Sequence, residues 1–125
     1  MRHVAALVVL MGASIVGASS AAVAAGKPLE CDRACLKSTL DRYLQAVLKH
    51  DPSAAPLTYG YRHTENAINV PLGKGVWKSV TALGKVQRRY LDATSGQAAY
   101  YGIVEESGKL AVVTARLRIE NPRNC

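Results

Sequence analysis

The chain has 125 residues, enough for one domain with a modest core and too few for a multidomain assembly. Lys and Arg number 16 against 9 Asp and Glu, a net charge of +7, yet only Arg88 and Arg89 are adjacent. Positive charge so scattered makes a soluble cationic surface and argues against a nucleic-acid interface, which concentrates its basic residues in a stripe.

In chain order, Met1-Arg2-His3 is followed by an apolar block from Val4 to Val16 and small residues through Ala25. This is the pattern of a secretory signal peptide, its block shorter than the roughly 20 residues that span a bilayer. Residues 1–25 are therefore expected to be removed. Residues 26–125 would then be a single secreted domain, extracellular or periplasmic, with no stable membrane anchor. Export favours a disulfide between Cys31 and Cys35, which lie one helical turn apart. A redox site more usually carries C-x-x-C, and Cys125 has no third partner. His50 and His63 are the only histidines left after the leader and there is no second cysteine pair, so no metal site and no cofactor is expected.

Asp32 can cap a helix in which Leu36, Leu40, Tyr43, Leu44, Val47 and Leu48 form one apolar face. Asp51-Pro52 ends it, and a short helical turn fits 53–57. From Thr58 the text alternates, with Tyr59, Tyr61, His63 and Glu65 on one face. Asn66-Ala67 is a turn and 68–70 a second short strand, stopped by Pro71. Val76, Trp77, Val80 and Leu83 predict a short helix over 76–83, ended by Gly84. Strands are predicted over 86–92, 97–105 and 109–120, joined by Ala93–Gly96 and by a Gly-containing hairpin loop over 106–108. Helices followed by antiparallel hairpins make an α+β fold, a helix covering one face of a curved antiparallel sheet.

This order of elements resembles the nuclear-transport-factor-like cone fold of ketosteroid isomerase, scytalone dehydratase and the SnoaL-type polyketide cyclases. More narrowly, five stretches are similar to a secreted group within that fold, a domain of unknown function found in bacteria and fungi. They are Cys31–Leu36, His50-Asp51-Pro52, Tyr61–Asn66, Val70–Trp77 and Arg116–Asn121. The resemblance implies an inward-curving sheet with a cleft under the helix. It also implies a further strand after Asn121, where this chain instead has Pro122 and Cys125. The domain is accordingly expected to be C-terminally incomplete. The alternatives are a truncated or frame-shifted product, a fragment, and a chain completed by a partner's strand; truncation is the expectation, and a stable monomer the least expected outcome.

Glu65 and His63 are the candidate acid–base residues, because a carboxylate and an imidazole on one face of a cleft can move protons at a small enolisable substrate. Desolvation there would raise the Glu65 pKa. Tyr61, Asn66, Trp77, Tyr90, Asp92 and Arg116 are candidate ligand contacts, Tyr90 and Asp92 joining Arg88 on the next strand. Each has a plainer role: Glu65 can pair with Arg62, Arg116 or Arg118, Asn66 can cap its turn, Trp77 can fill the core, and Asp92 can stand in solvent. Three function classes follow. First is a secreted binder of an unknown small molecule; second, an isomerase, cyclase or dehydratase; third, a non-catalytic homodimerisation module.

Overall fold

The computed structural model describes residues 31–120. The leader expected at 1–25 and the chain beyond Glu120, Cys125 included, lie outside the described residues. The fold is α+β. Helix α1 (Arg33–Leu48) is followed by a 3-10 turn (Pro52–Ala54), the hairpin β1 (Thr64–Glu65) and β2 (Ile68–Asn69), and the one-turn helix α2 (Val76–Ser79). Strands β3 (Val80–Asp92), β4 (Gln97–Glu106) and β5 (Lys109–Arg118) complete it. They form one antiparallel sheet in the order β3-β4-β5, while β1 and β2 pair only with each other.

Helix α1 forms where its pattern predicts. The Asp32 carboxylate accepts a hydrogen bond from the Cys35 amide at 2.8 Å, satisfying one of the four unpaired N–H groups of the first turn. The Cys31–Cys35 disulfide straddles this cap, with Cα atoms 5.2 Å apart. Leu36, Thr39, Leu40, Tyr43, Leu44, Ala46 and Val47 are buried, a stripe recurring every three to four residues. His50 ends the helix in a left-handed conformation (φ 54°), and its Nδ1 lies 2.7 Å from the Trp77 carbonyl.

The apolar face of α1 packs on the inner face of the sheet, where Val80, Ala98, Tyr100 and Val104 join Trp77 in the core. Polar ties fix the helix across β3. Asp41 accepts from Arg89 Nε at 2.5 Å and from Lys37 Nζ at 2.7 Å, and Arg33 donates to the Leu91 carbonyl at 2.7 Å. The Arg89 guanidinium stands 5.9 Å over the Tyr100 ring. Burial pushes the Asp41 pKa up, but the hydrogen bonds and charges of Lys37 and Arg89 outweigh it and hold the carboxyl below its ordinary value.

Four expectations need correction. The helix expected over 76–83 stops at Ser79, because residues from Val80 onward already pair with Glu106, Glu105 and Val104. Strand β3 therefore begins six residues earlier than its pattern suggests, and register shifts at 80/82 and 83/87 conceal the alternation. The long strand expected from Thr58 contracts to the two residues of β1. The β4–β5 loop is tighter than expected: Glu106 pairs with Lys109, and Ser107 and Gly108 both have positive φ (51° and 77°), as a type I′ turn requires.

Candidate functional site

A cleft of about 830 Å³ opens between a floor and two walls. Its floor is the Tyr43-Leu44 and Val47 face of α1 with Tyr100 and Val104 of β4. One wall is the 58–66 segment and the other is β5 from Ala111 to Arg118. That volume lies within the range of small-molecule sites.

Polar groups from several elements line it. The Tyr43 and Tyr61 hydroxyls are 3.1 Å apart, joining helix to hairpin. Burial, and then the hydrogen bond with Tyr61, push the Tyr43 hydroxyl far above its ordinary range, so it stays a neutral phenol. Tyr43 also meets Trp77 edge to face, ring centroids 5.2 Å apart. Beside this pair His63 Nε2 lies 3.2 Å from Glu65 Oε1. The same Glu65 oxygen accepts the Val76 amide at 2.7 Å, so the carboxylate ties the hairpin to the first turn of α2. Gly75 makes that approach possible: it has φ 60°, and a Cβ there would run into the Glu65 carboxylate. Glu65 takes no arginine partner among the described residues; the amide of Val76 and the imidazole of His63 fill that role instead.

Among the described residues, two buried side-chain polar atoms lack hydrogen-bond partners, His63 Nδ1 and Trp77 Nε1. The His63 side chain is only 8% exposed. A polar ring nitrogen left buried without a hydrogen-bond partner costs about 1–3 kcal/mol. A carboxylate 3.2 Å from a buried imidazole brings together the two kinds of group that acid–base chemistry draws on.

The cleft brings together Tyr61, His63, Glu65, Asn66 and Arg116. Trp77 lies behind it in the core, 1% exposed. Tyr90 and Asp92 are not brought to the cleft. Residues 88, 90 and 92 register with the outward-facing Tyr101, Ala99 and Gln97, whereas Arg89 and Leu91 face α1. The Asp92 carboxylate instead closes the β3–β4 turn, accepting from the Thr94 amide at 3.0 Å and Ser95 Oγ at 2.6 Å; the Ser95 hydrogen bonds hold its pKa below the ordinary value. Tyr43 is the site residue that sequence reasoning missed. It reads as one more apolar position of α1, and its signal is that a tyrosine in a buried stripe needs a partner for its hydroxyl.

Among the described residues no group of three or more His, Cys, Asp or Glu is placed to hold a metal ion. No helix among them is long and apolar enough to cross a membrane. Compared with family models, curated proteins and solved structures, the chain finds no match in any of the three.

Proposed function

We propose that the protein binds a small molecule carrying both polar and apolar groups in this cleft, and that the fold is a secreted variant of the nuclear-transport-factor-like cone. The order helix, hairpin, one-turn helix and three-stranded sheet supports the fold reading. The observation that carries the function is the cleft itself. Its volume is about 830 Å³, its floor is apolar, and the Tyr43–Tyr61 phenol pair lines it together with His63 and Glu65. The apolar floor supplies affinity and polar groups of the walls set orientation, which is how small-ligand sites work. With one phenol donating to the other, the pair keeps one O–H to donate to a ligand oxygen.

The direct test is a thermal-shift screen of hydroxylated aromatic and polyketide-like compounds on the full chain. A compound that binds here raises the melting temperature of the native protein. It fails to do so in Ala115→Trp, which fills the cleft from β5, and acts weakly in Tyr61→Phe. Stabilisation that survives Ala115→Trp places the ligand elsewhere and refutes the reading.

The His63–Glu65 contact favours a second reading, an acid–base isomerase, cyclase or dehydratase. There His63 would take the proton and Glu65 would hold the ring and balance its charge. Glu65→Gln should then lower turnover at least about a hundredfold, the contribution typical of acid–base groups; unchanged turnover removes the dyad from the chemistry.

A further inference from the structure

The face of the main sheet turned away from α1 is apolar at its centre, and the described residues leave it exposed. Ala98, Tyr100 and Val104 of β4 are buried in the core with α1, so the odd-numbered residues of β4 look outward. Residues opposed across a ladder share a face. The two registers therefore set β3, β4 and β5 side by side in rows on the outer face. Asp92 shares a row with Arg118, Tyr90 with Arg116, and Arg88 with Thr114. Between them on β4 stand Tyr101, in the row of Arg88, and then Ile103, opposed by Val112. Val86, two residues before Arg88, lies at the β3 side of that last row, where the register shifts. Tyr90 is 60% exposed and Val112 66%. A contiguous apolar patch of this kind marks a binding surface, as single exposed apolar residues do not.

We propose that this face binds a second copy of the same chain, sheet against sheet, about a two-fold axis running along β4. Such an axis lays β3 of one copy over β5 of the other and β4 over itself, so each row meets its own reverse. The rows are complementary when reversed, and that selects the copy as occupant. Tyr90 faces Arg116 of the copy, ring against guanidinium. Asp92 faces Arg118, acid against base, and Val86 faces Val112. Tyr101 and Ile103 meet their own images on the axis and make the apolar centre. Sheets packed face to face cross at about 30°, which moves a row by about 2.5 Å at one strand spacing from the axis, less than one residue. A two-fold set across the strands would instead lay Arg116 on Val112 or Leu110 of the copy, where its charge gains nothing. Two charges temper the fit. Arg118 already meets Glu120 at 3.4 Å, and Glu105 faces its own image at the end of the axis, where water screens the repulsion. From Gln97 to Glu105 the face runs about 27 Å, and it is about 10 Å across between the outer strands, small for a stable interface. The dimer should therefore be reversible and concentration-dependent. The face lies on the reverse of the sheet from α1, so this inference does not rest on a small ligand in the cleft.

The test is sedimentation equilibrium of the full chain across about a hundredfold range of concentration, which should show monomer and dimer in exchange. Tyr101→Glu sets like charges face to face on the axis and should abolish the dimer. Tyr90→Arg sets arginine against Arg116 of the copy and should weaken it about tenfold or more. Adding Arg116→Glu to Tyr90→Arg makes that pair attractive again and should restore the dimer. All three positions are exposed, so far-UV circular dichroism should stay native. Should Tyr101→Glu fail to fold, Tyr90→Arg and its rescue carry the test. Three results overturn the proposal. One is a monomer at every concentration. Another is a dimer that Tyr101→Glu or Tyr90→Arg leaves intact, as when residues outside 31–120 join the copies or the β5 edges pair, since Tyr90 stands on the strand farthest from that edge. The third is a loss in Tyr90→Arg that Arg116→Glu does not restore.

Discussion

Gly75 and Glu65 show how one residue's shape sets another's role. The Glu65 carboxylate occupies the space where a Gly75 side chain would begin, and Gly75 also has positive φ. Gly60 has positive φ as well, at 78°, with nothing near its missing Cβ. Gly60→Ala should therefore cost only the backbone strain, about 1–2 kcal/mol. Gly75→Ala adds displacement of the carboxylate from the Val76 amide, and should cost about 1–3 kcal/mol more. Urea denaturation of both variants isolates the difference; equal costs would mean that Glu65 does not tie the hairpin to α2. A leucine-glycine-lysine-glycine loop is legible in sequence as a turn. The carboxylate that fills it is not, because the partners are ten residues apart and meet only when the hairpin folds back.

At the scale of elements, α1 was legible and the start of β3 was not, for one physical reason. A helix buried on one side against a sheet writes its period directly, and Asp32 marks its start. Losing that cap in Asp32→Ala should cost about 1 kcal/mol, read by thermal denaturation. Strand β3 is shifted in register twice, so no constant period runs through it. Val76, Trp77, Val80 and Leu83 then imitate a longer helix, although the β-branched Val80 and Thr81 favour the strand. The same shifts hide which of Arg88, Arg89 and Tyr90 faces inward. Arg89 does, and its bond to Asp41 couples α1 to β3. The Asp41 pKa is lower in the folded protein than its ordinary value of 3.8, so the linkage favours the fold at higher pH. The stabilisation is complete above the unfolded pKa and disappears as pH falls through the folded one. Asp41→Asn should accordingly lower the melting temperature near neutrality and converge with the native protein in strong acid. A gap that persists unchanged there would show the pair to be electrostatically idle. Asp51 and Asp92 are shifted in the same direction by their serine partners, but both are fully exposed, where screening leaves little effect.

For the whole molecule, the consequence is an uneven distribution of stability. Strand β4 is paired on both sides and supplies Ala98, Tyr100 and Val104 to the core, so its amides should open only with global unfolding. Among the described residues the β1–β2 hairpin has no sheet neighbour, and Ile68 and Asn69 are exposed. Its ties to the body are few and mostly polar: Tyr61 to Tyr43, and Glu65 to the Val76 amide. Spacing in the sequence brought Tyr61, His63 and Glu65 to one face, but it carried no sign that their strand would be so short or stand apart from the main sheet. A wall of the cleft held in this way can open while the sheet stays folded, admitting a ligand without passing through the unfolded state. Hydrogen exchange in low denaturant tests this. The Val70 amide, which donates to the His63 carbonyl at 2.9 Å, should exchange through a local opening that denaturant hardly affects, whereas the β4 amides should follow the global unfolding line. In Tyr61→Phe the Val70 rate should rise several-fold, the cost of one hydrogen bond being about 1 kcal/mol, while the β4 amides shift only as far as global stability does. If Val70 and Tyr100 instead merge on one denaturant dependence, the hairpin belongs to the core and the cleft has no independently moving wall.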